Sequence, residues 1–317
     1  MYIKFVIQIE IKNYLKTKWI LIRMWEKLKN FYDKKYKFLL IVPILFILAS
    51  LVIIGLHYSR TGEFVSRDIS LKGGITVTLN TKEEIDVNEF GDFLSSRLGK
   101  DVFVRKLTDF VSREQIGFIV ETIDVSNEEL KGVLKEKINF VDLDYSVEEV
   151  GPSLGEAFYK QLLWALGFAF LFMAIVVFIT FRTFIPSIAI VLAPLTNLLV
   201  TLAFIDLVGI KLSTTGVAAL LLMIGYSIDT DILLTSRVLK RRGEGTVIVR
   251  IFSSIKTGLS MTFTTLIALI IAYFISNSFV LKQMFLILTI SLLYDIVATY
   301  LMNAVILRLY CEKKGIT

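Results

Sequence analysis

The stretch TTGVAALLLMIGYSIDTDILLTSR, residues 214 to 237, is typical of a membrane-spanning helix, yet it carries two acids. About 20 mostly apolar residues suffice to cross a bilayer. If Arg237 marks one membrane edge, Asp229 lies about 12 Å inside it, at 1.5 Å per residue. Each acid at such depth costs about 2.5–3.5 kcal/mol on insertion scales. Asp229 and Asp231 are therefore expected to face protein or a water path rather than lipid.

Two interpretations of Asp229 and Asp231 remain open from the sequence. In the first, an acid of the pair takes up and releases protons, because desolvation favours the neutral form of a carboxylate. In the second, both acids are structural and accept hydrogen bonds from hydroxyl groups of neighbouring helices. The two side chains point about 200° apart on a helix, so they cannot both line one narrow groove. Both are proton-relay candidates, and the acid that is not the relay is expected to contact a partner helix.

The composition is that of a membrane protein. Of 317 residues, 55% are hydrophobic, and the mean hydropathy of +0.69 is more apolar than a soluble domain of this length. The net charge of +6 sits mostly beside apolar runs, so no nucleic-acid partner is expected. A single cysteine excludes an intramolecular disulfide, and a single histidine excludes a histidine metal cluster or triad. No G-x-x-x-x-G-K-[ST] motif occurs, so we expect no use of ATP. We also expect no enzyme activity, no cofactor and no metal.

Six apolar segments are long enough to cross a bilayer. They run over residues 38–56, 161–181, 185–206, 215–238, 259–274 and 284–307. We therefore predict an α-helical polytopic membrane protein in five parts. The parts are a basic amphipathic N-terminal segment on the inner membrane face (1–37), a first transmembrane helix (38–57), an outer domain (58–158), a five-helix membrane region (159–308) and a tail (309–317).

Lysine and arginine decide the expected orientation. They cluster before the first span, in the tail, and in the loop after the fourth span, where we count Arg237, Arg241 and Arg250. Six spans place all three clusters on one side. The loops after the third and fifth spans are short and nearly uncharged. Both termini are therefore predicted to be cytoplasmic, in a multi-pass protein of the plasma membrane that is surrounded by lipid.

The polar segment between the first two spans has the pattern of a small α+β domain. GGITVTL, DVFVRKL, EQIGFIVETI and VDLDYSVEEV alternate as strands do, while VNEFGDFLSSRLG and SNEELKGVLKEKI have helical spacing. Ser126 is the expected N-cap of the second helix, with Glu129 three residues on. The order β-α-β-β-α-β predicts a ferredoxin-like domain on the outer side of the membrane.

Other polar residues lie inside the predicted spans. Asp295 lies about 20 Å along the helix from Arg308, and so within the membrane. Asn197 has an amide that is able to bond a facing acid, although helix packing is the simpler interpretation. Thr264 and Thr265 offer hydroxyl donors to a buried acid, or small side chains for close packing. We name Asp295, Asn197, Thr264 and Thr265 as possible support for the relay.

Four motifs in matching order resemble the SecF branch of the SecD/SecF protein-export family, in the resistance-nodulation-division superfamily. SRDISLKGG, with Gly73 and Gly74, follows the first span, and EEVGPSLG, with Gly151 and Pro152, leads into the second. GYSIDTDILLTSR, with Gly225, is similar to the fourth-span motif G-Y-S-x-N-D-T. KTGLSMTFTTL is similar to the start of the family's fifth span.

This resemblance implies an accessory membrane protein of the Sec translocon that acts with a SecD partner on a translocating polypeptide and uses the proton gradient. The D-T-D form of the fourth-span motif looks like the archaeal branch. The bacterial acid position falls on Thr230, and Asp229 aligns with the acid of the SecD version of the motif. We therefore expect Asp229→Asn to impair gradient-dependent export more than Asp231→Asn.

Two alternatives for the function remain. The first is a lipid or small-molecule exporter of the resistance-nodulation-division type, although the chain has one repeat and one small outer domain. The second is a scaffold that stabilises the translocon without transport. Co-purification with a SecD-like partner distinguishes export of polypeptides from the first alternative. Sensitivity of export to an uncoupler distinguishes it from the second.

Overall fold

A computed structural model describes most of the chain. The described residues are 23, 25–108 except 82 and 84, 114–138, 140, and 144–316 except 242 and 277. The predicted amphipathic N-terminal segment falls largely outside these residues. Its last part, from residue 25, belongs to a helix over residues 25–39 that we call α1.

An α+β domain follows the first membrane helix. The elements in order are α2 (Ile41–Thr61), which spans the membrane, then a short helix α3 (Ile69–Lys72), β1 (Gly74–Asn80), α4 (Val87–Leu98), β2 (Val102–Thr108), β3 (Gln115–Thr122), α5 (Asn127–Lys137) and β4 (Tyr145–Val150). In the described part, the strands form one antiparallel sheet in the order β2-β3-β1-β4. This is the ferredoxin-like arrangement that the alternation predicted.

The core of this domain lies between one face of the sheet and helices α4 and α5. Val77 and Phe118 from the sheet and Phe90 from α4 are fully buried there. Ser126 caps α5 as predicted, since its Oγ accepts from the backbone N–H of Glu129 at 3.3 Å. Because the apolar core is internal, the opposite face of the sheet is left for contact with the membrane region.

The chain then runs through the membrane five more times. These spans are α6 (Pro152–Phe181), α7 (Phe184–Leu207), α8 (Thr214–Lys240), α9 (Val247–Ile275), and a last span made of α10 (Phe279–Val297), a π-helix (Ala298–Asn303) and α11 (Ala304–Lys314). With α2, six helices of the described chain are long and apolar enough to cross a bilayer. The predicted fold class is therefore confirmed.

Two spans begin more than two helical turns earlier than predicted. Helix α6 begins at Pro152 rather than 161, and α9 begins at Val247 rather than 259. Hydropathy marks only the part of a helix that matches the hydrocarbon layer, and both helices continue with more polar turns beyond it. Our prediction that Arg250 lies in a loop is wrong, because Arg250 lies in the first turns of α9 and is 1% exposed.

Helices α7, α8 and the last span form the centre of the bundle. About half of the apolar segment of α7 and of α8 is buried (56% and 50%), against 11% for α2 and for α6 and 17% for α9. Large apolar side chains of α6, such as Trp164, Phe172 and Ile179, are exposed, as expected for a face against lipid. The buried polar residues of the three central helices therefore lie away from lipid.

Candidate functional site

A carboxylate lies at the centre of the membrane bundle. Asp295 on α10 is 2% exposed. It accepts hydrogen bonds from Nδ2 of Asn197 on α7 (3.3 Å) and from Oγ of Ser227 and Oγ1 of Thr230 (3.2 Å) on α8. All three donors are neutral, so three helices converge on one acid without bringing a charge.

Further hydroxyl groups orient Asn197. Its Oδ1 accepts from Oγ1 of Thr201, one turn along α7, and from Oγ of Ser291, one turn before Asp295 on α10, each at 3.2 Å. Because both lone pairs of the amide oxygen are engaged, the NH₂ group is directed at Asp295. The structure thus brings Asn197 to a buried acid.

A π-helix follows the turn that carries Asp295, and it presents further polar side chains to α8. Nδ2 of Asn303 donates to Oδ1 of Asp231 at 2.7 Å, and Oγ1 of Thr299 lies 3.5 Å from Oγ1 of Thr230. Single π turns inside α-helices occur frequently at functional sites. Here the π turn places polar groups from the last span beside both acids.

Asp231 is the second buried acid and is 0% exposed. Its Oδ2 has no hydrogen-bond partner among the described residues. In the described part of the chain, neither Asp231 nor Asp295 forms an ion pair with a lysine, arginine or histidine. Two desolvated carboxylates without a cation cannot both be ionised at low cost. The arrangement is therefore suited to holding and exchanging protons.

The remaining relay and support candidates, and the motif residue Gly225, lie outside this cluster. Asp229 is exposed, on the side of α8 away from Asp231, in keeping with their separation of about 200°. Gly225 is exposed on the same side as Asp229. Thr264 and Thr265 lie on α9, where their hydroxyls donate to carbonyl oxygens one turn back in the same helix, at 2.8 and 3.1 Å. These four residues are separate from the buried acids.

Sequence reasoning missed several members of the cluster. Ser291, Thr299 and Asn303 went unnoticed, although together with Asp295 they recur every four residues in an otherwise apolar span. That spacing marks one face of a helix and was the available signal. Thr230 was noted only as the position of a family acid, and it supplies a hydroxyl donor instead.

The glycine motifs meet where the α+β domain joins α6. Gly73 has a φ of 87°, and a Cβ at this position would lie 2.4 Å from Cα of Pro152. A Cβ on Gly155 would lie 2.6 Å from the backbone nitrogen of Gly73. A Cβ on Gly74 would lie 2.5 Å from a backbone carbonyl oxygen of β3. Gly151 is the N-cap of α6, and Pro152 is its first residue. Close backbone approach therefore accounts for the glycines at positions 73, 74 and 155.

The α+β domain is also bonded to the start of α8, which is bonded in turn to the start of α10; we call these two helix starts the domain end of the bundle. The backbone N–H of Thr214 donates to Oγ of Ser70 at 3.2 Å, and Oγ of Ser213 donates to Oε1 of Gln283 at 2.8 Å. Between α7 and α8, the ammonium of Lys211 lies 3.1 Å from the centre of a β2 phenylalanine ring, and burial lowers its pKa. The α7–α8 loop is therefore held against the sheet.

Comparisons with known proteins agree on one family. Residues 131–313 match the family model described as protein export membrane protein SecD/SecF, C-terminal. The protein-export membrane protein SecF of Pyrococcus furiosus is 36% identical over 289 residues, which cover 91% of this chain and 96% of that protein. SecF of Methanocaldococcus jannaschii is 33% identical over 285 residues, which cover 87% and 96%.

One solved structure shows the same fold over most of the chain. It is the crystal structure of SecDF, a translocon-associated membrane protein, from Thermus thermophilus, with a TM-score of 0.67 and 22% identity. The match covers 90% of this chain but only 38% of the solved chain, so the chain spans little more than a third of that protein.

Proposed function

The chain belongs to the SecD/SecF family of protein-export membrane proteins, and we propose that it assists the Sec translocon by drawing on the proton gradient through its buried acids. The proposed role is accessory rather than catalytic. Asp295 and Asp231 are the proposed proton carriers. The observation that supports this assignment most directly is that, among the described residues, only neutral side chains donate to Asp295.

Asp295 is placed to exist in both protonation states. Three hydrogen-bond donors support its ionised form. Burial at membrane depth, without a cation among its described neighbours, supports its protonated form. A small shift of α7, α8 or α10 changes this balance. A group that accepts a proton from one side of a membrane and releases it to the other needs this property.

Helices α8 and α10 connect the acids with the α+β domain. Ser227 and Asp295 lie on the same two helices whose domain ends carry Ser213 and Gln283, joined at 2.8 Å. Gln283 lies about 18 Å along α10 from Asp295. Protonation turns one acceptor oxygen of Asp295 into a donor and weakens the hydrogen bonds that it accepts from α8. Helices α8 and α10 can then shift against each other and move the contacts of the domain with a translocating polypeptide. One proton crossing 100 mV supplies about 2.3 kcal/mol, enough to shift a two-state equilibrium substantially.

An exposed polar face of the membrane region is the proposed contact with a SecD-like subunit. Lys256, Ser260 and Thr264 recur along one exposed stripe of α9, and Asp229 is exposed on α8. Polar side chains at membrane depth are costly against lipid, so another membrane helix is the expected neighbour. The solved SecDF chain supports this partner, because this chain matches only 38% of it. Lipid covers the apolar faces.

A photo-crosslinking residue in place of Ser260 should capture a SecD-like protein in the native membrane. The reason is that this position lies in the polar stripe, whereas Ile179, 63% exposed on α6, lies on an apolar face. The matched control at Ile179 should yield lipid adducts only. Mass spectrometry of the adducts decides the outcome. Lipid adducts at both positions would show that no protein covers the stripe.

Purified translocon in proteoliposomes tests the function as a whole. Adding this chain with its membrane partner should increase polypeptide import into the vesicles, and a protonophore should remove that increase. An increase that survives the protonophore would instead support a scaffold. Transport of lipid or a small molecule without any effect on polypeptide import would support an exporter of the resistance-nodulation-division type.

We infer that both termini lie on the cytoplasmic side of the plasma membrane, with the α+β domain outside. This inference is supported by Lys240 and Arg241 at the end of α8, opposite the domain end. A cysteine in place of Glu244 should therefore react with an impermeant thiol reagent only from the cytoplasm. Reaction from the outside would reverse the orientation.

A further inference from the structure

Five buried polar side chains cluster toward the end of the bundle at which α8 ends and α9 begins. Each is at most 1% exposed, and each has at least one polar atom without a hydrogen-bond partner among the described residues. The atoms are Oδ2 of Asp231, Oγ1 of Thr235, all three guanidinium nitrogens of Arg250, Oγ of Ser254 and Oδ1 of Asn303.

Helix geometry places these side chains in one region. Asp231 and Thr235 lie one turn apart on the buried face of α8, and Arg250 and Ser254 lie one turn apart on the buried face of α9. Asn303 connects the last span to Asp231 at 2.7 Å. The orphaned groups therefore lie between α8, α9 and the last span.

Apolar neighbours confirm that α8 and α9 are packed together at this level. Leu234 and Val238, which flank Thr235 on α8, belong to the same buried cluster as Ile251 and Ile255, which flank the polar positions of α9. The polar groups are thus enclosed by packed helices rather than directed at lipid or bulk solvent.

Leaving these groups without partners is not a stable arrangement. A buried polar group costs free energy unless it is hydrogen-bonded, and a buried charge costs more. Within the described chain, no ion pair joins Arg250 to Asp231. Buried polar groups that lack protein partners are the groups that ordered water bridges in folded proteins.

We propose that a water-filled path, lined by Thr235, Ser254 and Arg250, leads from the α8–α9 end of the bundle to Asp231. In this path water donates to the free oxygen of Asp231 and accepts from the guanidinium of Arg250. Arg250 acts as a positioning residue, because its fixed charge and its planar fork of donors hold a chain of water molecules in place.

Exchange of a buried thiol proton with D₂O tests water access with a probe of the right size. In a Cys311→Ala background, Thr235→Cys and Ser254→Cys each introduce one thiol, whose S–H band is followed by infrared spectroscopy. Leu234→Cys and Ile251→Cys are matched controls, because each is a fully buried apolar position of the same helix, one residue from Thr235 and three residues from Ser254. We expect exchange at the two polar positions to be at least about tenfold faster than at the controls.

The role of Arg250 needs its own measurement. In the Thr235→Cys protein, Arg250→Met should slow thiol exchange by about tenfold, and Arg250→Lys should retain most of the rate, because the lysine keeps the charge. If Arg250 has a purely structural role, both variants should change the thermal stability, and the thiol exchange rate should be the same in the Lys and Met variants.

Equal exchange at the polar positions and at their apolar neighbours would overturn the proposal, because the cluster would then be as dry as the surrounding core. The Thr235 and Ser254 variants are independent, so a folding defect in one leaves the other to decide. Water access is measured without any transport. The path therefore stands or falls separately from gradient-driven export.

Discussion

Asp295→Asn is expected to reduce the gradient-dependent part of polypeptide export by about tenfold or more, because loss of one coupled proton removes about 2.3 kcal/mol at 100 mV. Asparagine has nearly the same volume, and its amide oxygen still accepts from Ser227 and Asn197. The amide NH₂ takes the place of the oxygen that accepts from Thr230, whose hydroxyl keeps its bond to the carbonyl oxygen of Ser227. It cannot take up or release a proton. Insertion and partner binding should therefore survive. Import into proteoliposomes with and without an imposed proton gradient measures the effect.

The matched controls for Asp295→Asn are the same substitution at Asp231 and at Asp229. Asp231→Asn should be the more severe of the two, because Asp231 is buried and bonded to Asn303, whereas Asp229 is exposed. This ranking reverses the expectation drawn from the sequence. A different result would place the proton relay on the exposed face of α8. In that case the Asp231→Asn, Asp295→Asn double variant keeps full gradient-dependent export, and Asp229→Asn loses it.

The reversed ranking shows what helical periodicity can and cannot predict. The spacing of Asp229 and Asp231 predicts that their side chains point to different sides of the helix. In the structure Asp229 is exposed and Asp231 is buried, in agreement with that prediction. The spacing does not give the direction of either side chain in the bundle, because that direction depends on which helices pack against α8. Asp231 is the inward acid because α10, which carries Asp295, and the π-helix, which carries Asn303, pack against its side of α8.

The fold was more predictable than the site because its signals are local. Apolar length alone identifies the six spans, and alternation with turn residues identifies the order of strands and helices in the α+β domain. The cluster around Asp295 instead joins side chains that are 65 to 98 positions apart in sequence. Arg250 shows the same limit, since a basic residue near a span end is typical of a loop and gives no indication of burial.

The joint between the α+β domain and α6 leads to the second large effect. Gly73→Ala should destabilise the protein by about 2–5 kcal/mol, adding roughly 1–2 kcal/mol for a side chain at positive φ to about 1–3 kcal/mol for overpacking. The structure supplies both causes, a φ of 87° and a Cβ position 2.4 Å from Cα of Pro152. Backbone atoms cannot move aside as a flexible side chain can. Thermal unfolding of the detergent-solubilised protein, followed by tryptophan fluorescence, should show a clearly lower Tm.

Two further alanine variants separate the causes of this destabilisation. Gly155→Ala adds a Cβ 2.6 Å from the nitrogen of Gly73 but lies in a helix, so it should retain the steric cost without the cost of positive φ. Gly132→Ala lies in α5 with no atom within 4 Å of its Cβ, so it should stabilise the protein by about 0.5–1 kcal/mol through helix propensity. If Gly73→Ala and Gly155→Ala unfold at the wild-type temperature, the joint is loose enough to admit a methyl group. The α+β domain would then be too weakly held for a shift of α8 and α10 to be transmitted through this contact.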